Sequence, residues 1–264
     1  MARTKPWELS DDVWERAQPL LPRRKPHPRG GRPPRDDRQM LGAILYVLRT
    51  GLQWNALPRE IGASTTVYDR FRAWEREGVF ERLWAAGLEE VDELVGIGHN
   101  PTDRGKHGTK RSTLSEGHGL PLAVVVAGAH VPDMKLAAPT LDALVIVRPA
   151  PTGQWPQHLC LDMDKGYDYD LPRFAAEQRG YIAHIRTRGE ERAQAGSSDP
   201  SKQPRRWVVE RLHSWLNRSR RLLVRWEKLA RTYLAFVQLA CALLCFQHCA
   251  RWRRLRTASS GYAA

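Results

Sequence analysis

Apolar residues recur at helical spacing through residues 1–98. Met40, Leu41, Ile44, Leu45 and Leu48 share one face and stop before Gly51, which predicts a helix over DDRQMLGAILYVLRTG. Ser10 can cap a helix over DDVWERAQPLL, whose leading acids suit the positive end of a helix dipole. The stretch LQWNALPREIGASTTVYDRFRAWEREG reads as a short helix, a tight turn at Gly62, and a second helix capped by Ser64 or Thr65. Val67, Phe71 and Trp74 form the core stripe of that second helix, which presents Tyr68, Arg70, Arg72 and Arg76. This is helix-turn-helix grammar, in which basic and polar positions of the second helix meet DNA. An ordinary helical hairpin with the same core stripe is the alternative. Between these helices, PRRKPHPRGGRPP is a Pro/Gly-rich basic linker that cannot be helical.

From residue 99 the period changes. PLAVVVAGAH is a strand, and RSTLSEG pairs with it in a hairpin through Gly117 and Gly119. DMKLAAPTLDAL is a short helix, QHLCLDMD a strand ending in acid, DLPRFAAEQRG a helix closed by Gly180, and YIAHIRTRG another strand. Alternating strands and helices predict a mixed sheet in an α/β layer. RRWVVERLHSWLNRSRRLLVRWEK then reads as one long amphipathic helix. Val208, Leu212, Trp215, Leu216 and Leu222 lie on its apolar side, with Glu210, His213, Asn217, Arg218 and Arg221 opposite. LAFVQLACALLCFQHCARW is apolar enough for a buried final helix.

Charge changes the picture. The chain has 264 residues, 42 Lys+Arg against 29 Asp+Glu, a formal net charge of +13 and a pI near 10.1. Such an excess points to a polyanion partner, nucleic acid first. A hydrophobic content of 42% argues against wholesale disorder. The start, MARTKPWELSDD, has no apolar signal core, and the run around LAFVQLACALLCF is interrupted by Gln238, so no membrane span is expected. Three of the four cysteines, Cys241, Cys245 and Cys249, recur every four residues. That is a buried helix face rather than a disulfide framework.

Against this basic background, CLDMDKGYDYD gathers Asp162, Asp164, Asp168 and Asp170 at the end of an apolar strand. Parallel sheets bind ligands at carboxyl strand ends. Asp162 and Asp164, two apart on a strand, share a face. Hard divalent cations take carboxylate oxygens, and Glu210 downstream could complete such a site. Asp168 and Asp170 read instead as acids at the start of the next helix.

The blocks NPTDRGKHGTKRSTLSEGHGLPL, HLCLD with DKGYDYD, HIRTRGEE and RRWVVERLHSWLNRSRRLLVRWEK together resemble the IS5-type insertion-sequence transposases, over nearly the whole chain. The resemblance implies an α+β protein: an N-terminal all-helical, helix-turn-helix-like domain over 1–98, a ribonuclease-H-like core over 99–250, and a basic tail over 251–264. It implies a DDE triad using Mg2+ or Mn2+ to cut and join double-stranded DNA at terminal inverted repeats and target sites. It further implies a homo-oligomer on DNA in the bacterial cytoplasm, associated with the nucleoid. Carried over by motif, Asp164 matches the second acid and Glu210 the third, while Arg218 and Lys228 match basic positions that would hold DNA.

Two departures stand out. The family runs directly from CLD into KGYD, whereas CLDMDKGYD has two more residues, so either Asp162 or Asp164 serves as the metal ligand. Where the family carries a strand with the first catalytic aspartate, DELVGIGHNPTDRGK passes straight across. Asp92 and Asp103 are poor substitutes. The core is therefore expected to lack its first strand, leaving either a transposase with impaired catalysis or a non-catalytic DNA-binding repressor or competitor.

Overall fold

The computed structural model describes residues 8–22, 35–95, 99–100, 109–116, 118–128, 131–146, 160–163, 167, 169–185 and 206–260. For 91–95, 99–100, 116, 160–163, 182–185, 206, 207, 209 and 255–260 it gives the backbone alone. Two units separate. One joins Met1–Gly87 to Leu216–Gln247, and the other joins Leu88–Trp215 to His248–Ala264.

In the first unit, helix α1 (Asp11–Ala17) starts where Ser10 accepts from the Val13 N–H at 3.4 Å. Helix α2 (Asp37–Thr50) starts where the Asp36 carboxylate accepts from the Gln39 N–H at 3.0 Å, and it ends at Gly51 with φ 76°. That φ is left-handed, which favours glycine. The predicted short helix in LQWNALPREIG is a single 3-10 turn, Trp54–Ala56. The Pro58 carbonyl then accepts from both Ile61 and Gly62, which makes the tight turn. Helix α3 (Ser64–Arg76) is capped by Ala63 without a side-chain hydrogen bond, not by Ser64 or Thr65, which are already helical. Helix α4 runs Val79–Val95.

The core of this unit is aromatic. The Phe71 ring stacks on Phe236 at 4.5 Å and lies 5.3 Å from both Trp54 and Phe80. Each such ring contributes about 1.5–3 kcal/mol by burial, and well-placed ring pairs add roughly 1 kcal/mol. Phe236 belongs to the C-terminal helix α8 (Ala230–Ser260). Leu216–Gln247, which includes Phe236, belongs with the N-terminal helices in this unit. Cys241, Cys245 and Cys249 are buried along α8. The run expected to be too short to span a bilayer lies in a helix, Ala230–Arg254, that is long and apolar enough by length and composition. Of its most apolar window, 67% is buried inside the protein, as in a core helix.

The second unit holds a five-stranded sheet in the order β3-β2-β1-β4-β5. The strands are β1 (His99–Asn100), β2 (Thr109–Glu116), β3 (Pro121–Gly128), β4 (Cys160–Met163) and β5 (Ile182–Ile185). The predicted hairpin is β2–β3, antiparallel, with Gly119 at φ 93° in its turn. Strand β1 pairs antiparallel with β2 and parallel with β4, and β4 pairs parallel with β5. The central strand was expected to be missing. Its place is held by two residues, His99 and Asn100.

A polar pin fixes the next element to β2. The Ser112 and Thr140 hydroxyls are 2.7 Å apart, Thr140 donates to the Leu136 carbonyl at 2.7 Å, and Lys110 pairs with Asp133 at 2.6 Å. Thr140 lies on helix α5 (Ala137–Asp142), and α6 (Asp170–Glu177) follows β4. Helix α7 covers Arg206–Asn217 only. The single helix predicted as far as Lys228 stops there, turns at Ser219 into a 3-10 turn, Arg220–Leu222, and continues as irregular chain to α8.

Candidate functional site

Strands β1 and β4 run parallel at the centre of the sheet, and parallel strands place ligands beyond their carboxyl ends. Asp162 is the penultimate residue of β4, paired with His184 of β5. His99 pairs with Leu161, so Asn100 takes the β1 position alongside Asp162. Asp164 and Asp168 lie outside the described residues, as does the side chain of Asp162. Asp170 opens α6, as acids at a helix start do.

Glu210 sits on α7. Val208, Leu212 and Leu216 of that helix are buried, and Glu210 is exposed on the other side. Three contacts seat α7 against the β2–β3 hairpin. His213 Nε2 lies 3.4 Å from the Thr113 hydroxyl, and Arg211 donates to the His118 carbonyl at 3.5 Å. A Cβ on Gly119 would lie 3.2 Å from the Val208 carbonyl oxygen, so that approach needs glycine. Arg211 also lies over the Trp215 ring at 5.8 Å.

The pairing of Glu210 with Asp162 or Asp164 falls on residues outside those described. Among the described residues no three of His, Cys, Asp or Glu stand together as a metal group. Of the candidate metal-ligating side chains, only that of Glu210 is among those described.

The basic positions divide sharply. Arg70, predicted to face outward from α3, is buried at 5% exposure and ion-paired with Asp37. Its guanidinium also donates to the Arg35 carbonyl and lies over Trp74. Arg72 pairs with Glu75 at 3.6 Å, and Tyr68 sets its ring edge on Trp54 at 5.3 Å. Arg76 is exposed, donating to the Arg72 carbonyl. The polar side of α3 is therefore largely tied into the unit's own packing.

Arg221 is the second correction. It does not share an outward helix face with Glu210, because the helix has ended. Arg221 donates to Glu227 at 2.9 and 2.6 Å and to the Leu52 carbonyl at 2.6 Å, with Trp54 and Phe236 rings nearby. Arg218 and Lys228, by contrast, are exposed. The sequence reading missed two more exposed cations, Arg220 and Arg225, because it drew one straight helix through this segment, and a third, Arg231, at the start of α8. It also missed Arg49, half-buried on α2. Burial, then the neighbouring charge of Arg218, pushes the Arg49 guanidinium below its ordinary pKa.

Comparison with known proteins follows this division. Residues 9–84 match a family described as a putative transposase of the IS4/5 family, and residues 86–245 match the transposase DDE domain. That domain implies a ribonuclease-H-like fold, with which the mixed five-stranded sheet agrees. A putative transposase for insertion sequence element IS402 from Burkholderia cepacia is 36% identical over 161 residues, 61% of this chain and 71% of the relative. An uncharacterized 16.2 kDa protein of the same insertion element is 42% identical over 93 residues, 33% of this chain and 63% of the relative. No solved structure matches. The chain belongs to the IS4/5 family of DDE-domain transposases.

Proposed function

We propose that this transposase-family protein binds double-stranded DNA at the terminal inverted repeats of an insertion element while its own cleavage and strand transfer are crippled. The observation that carries the second half is the central strand. It is two residues long and sets Asn100, an amide, alongside Asp162. A divalent cation, when bound by a DDE domain, activates a water or 3′-hydroxyl for in-line displacement. Asp162 or Asp164 with Glu210 would hold Mg2+ or Mn2+ one carboxylate short, and Mg2+ sheds its water reluctantly. DNA binding is supported by the exposed Arg218, Arg220, Arg225, Lys228 and Arg231. The one acid in this stretch, Glu227, is buried against Arg221. The helix-turn-helix reading of the first unit, target-DNA capture and assembly as a homo-oligomer on DNA belong to the same proposal.

The test uses a labelled element-end duplex. Five phosphate contacts give a log–log salt slope of about −4.5. With Mg2+ or Mn2+, cleavage should be lower by about a thousandfold or more than in a version with an apolar strand ending in aspartate inserted before His99. Equal cleavage by the two forms would refute the loss of the site. Asp103→Asn would then identify the acid that completes it. The same central-strand observation favours a second reading, a repressor or competitor at element ends. That reading requires the chain to displace an active relative's transposase from such ends.

A further inference from the structure

The segment between α7 and α8 carries the most exposed cluster of apolar side chains in the first unit. Leu223, Val224, Trp226 and Leu229 are 58%, 54%, 49% and 45% exposed. A loose loop would hide such residues by collapsing. This one is held from beneath. The Leu222 and Leu223 N–H groups donate to the Ser219 and Arg220 carbonyls at 2.8 and 3.1 Å, and the Tyr233 hydroxyl donates to the Leu222 carbonyl at 3.1 Å. Arg225 reaches back to the Glu227 and Lys228 carbonyls at 2.8 and 3.1 Å, and Arg221 clamps Glu227 across the base. The backbone is ordered in advance, so displaying these side chains to a partner costs little further conformational entropy.

The surroundings select the partner. The exposed charged residues from Arg218 to Arg231 are all cations, and the internal acid is neutralised within the loop. An apolar protein surface would gain nothing from that collar, whereas a phosphate backbone on either side of a groove would. Apolar wedges flanked by arginine and lysine enter between base steps and unstack them, while the cations hold the strands apart. We infer that the Leu223–Leu229 loop is an apolar wedge that inserts into duplex DNA and unstacks a base step. This rests on the DNA-binding reading above and adds to it a distortion of the bound duplex.

The experiment uses the full chain and a mixed-sequence duplex with 2-aminopurine at a pyrimidine–purine step, where unstacking is easiest. The wild type should raise 2-aminopurine fluorescence on binding. Leu223→Ser with Trp226→Ala should remove the rise and weaken binding by roughly tenfold, keeping the salt slope. Val224→Asp is the second variant, placed at an exposed tip where refolding of the core is not involved. A duplex bound with full salt dependence but no fluorescence rise, or a rise unchanged in both variants, overturns the wedge and leaves the DNA reading standing. No duplex binding by the wild type sinks both. If the variants instead dissociate a wild-type oligomer in gel filtration and keep the fluorescence rise, the tips meet a second copy, and the wedge is refuted.

Discussion

Replacing Arg221 with methionine should be the most damaging single change in the first unit. Its side chain and that of Glu227 are 2% and 4% exposed. Methionine fills the space beside Trp54 and Phe236 but leaves the Glu227 carboxylate without the two N–H donors at 2.9 and 2.6 Å. It also strips the Leu52 carbonyl of its donor at 2.6 Å. Removing one partner of a buried ion pair costs about 3–5 kcal/mol, because a desolvated charge is stranded. At roughly 2–4 °C per kcal/mol for a chain of this size, the melting temperature should fall by about 10 °C. Arg221→Met with Glu227→Leu should recover most of that, since no charge is then buried. Thermal denaturation by circular dichroism reads both. A single variant losing under about 1 kcal/mol, or a double variant as unstable as the single, would refute the argument that stranded charge sets the cost.

Gly51→Ala should cost about 2 kcal/mol in denaturant unfolding, because φ is 76° and the new Cβ would sit 3.0 Å from the Arg220 Cβ. Arg218→Ala should leave the melting temperature unchanged or slightly raised, since it relieves Arg49, while lowering the salt slope of duplex binding by about 1. The Arg179 side chain hydrogen-bonds Asp142 at 2.7 and 2.8 Å and holds its carboxyl below the ordinary carboxylate range. A depressed carboxyl pKa stabilises above the unfolded value and loses that contribution as pH falls through the folded one. Asp142→Asn should therefore lower the melting temperature near neutral pH, with the gap to wild type closing below the ordinary carboxylate range. A gap that widens on acidification would contradict this assignment.

Local signals carried the helices and the hairpin into plain view. Ser10, Gly51, Gly119 and Gly180 each punctuate an element where the residue type predicts. The break after Asn217 was invisible because Arg220, Arg221 and Leu222 keep helical spacing. What ends the helix is tertiary: Arg221 reaching Leu52 and Glu227. A separate ion pair hides Arg70 against Asp37, so its basic character on α3 pointed outward while its partner pulled it in. The central strand was missed for the opposite reason. HN carries no β pattern, and only its neighbours β2 and β4 make it a strand. The pairing of Glu210 with Asp162 or Asp164 is a reading from motif, and it falls on residues outside those described.

The first unit joins Met1–Gly87 to Leu216–Gln247, so its two parts are separated in the chain by Leu88–Trp215 of the second. During synthesis the early helices emerge without Phe236, on which Phe71 stacks, and without Arg221, whose bond to Leu52 spans 169 residues. The helical unit must therefore wait with its aromatic face open until that late segment is made. A ribosome that stops short of α8 releases a chain whose N-terminal helices are synthesised but unfinished, so premature termination yields an aggregation-prone product rather than a free N-terminal domain.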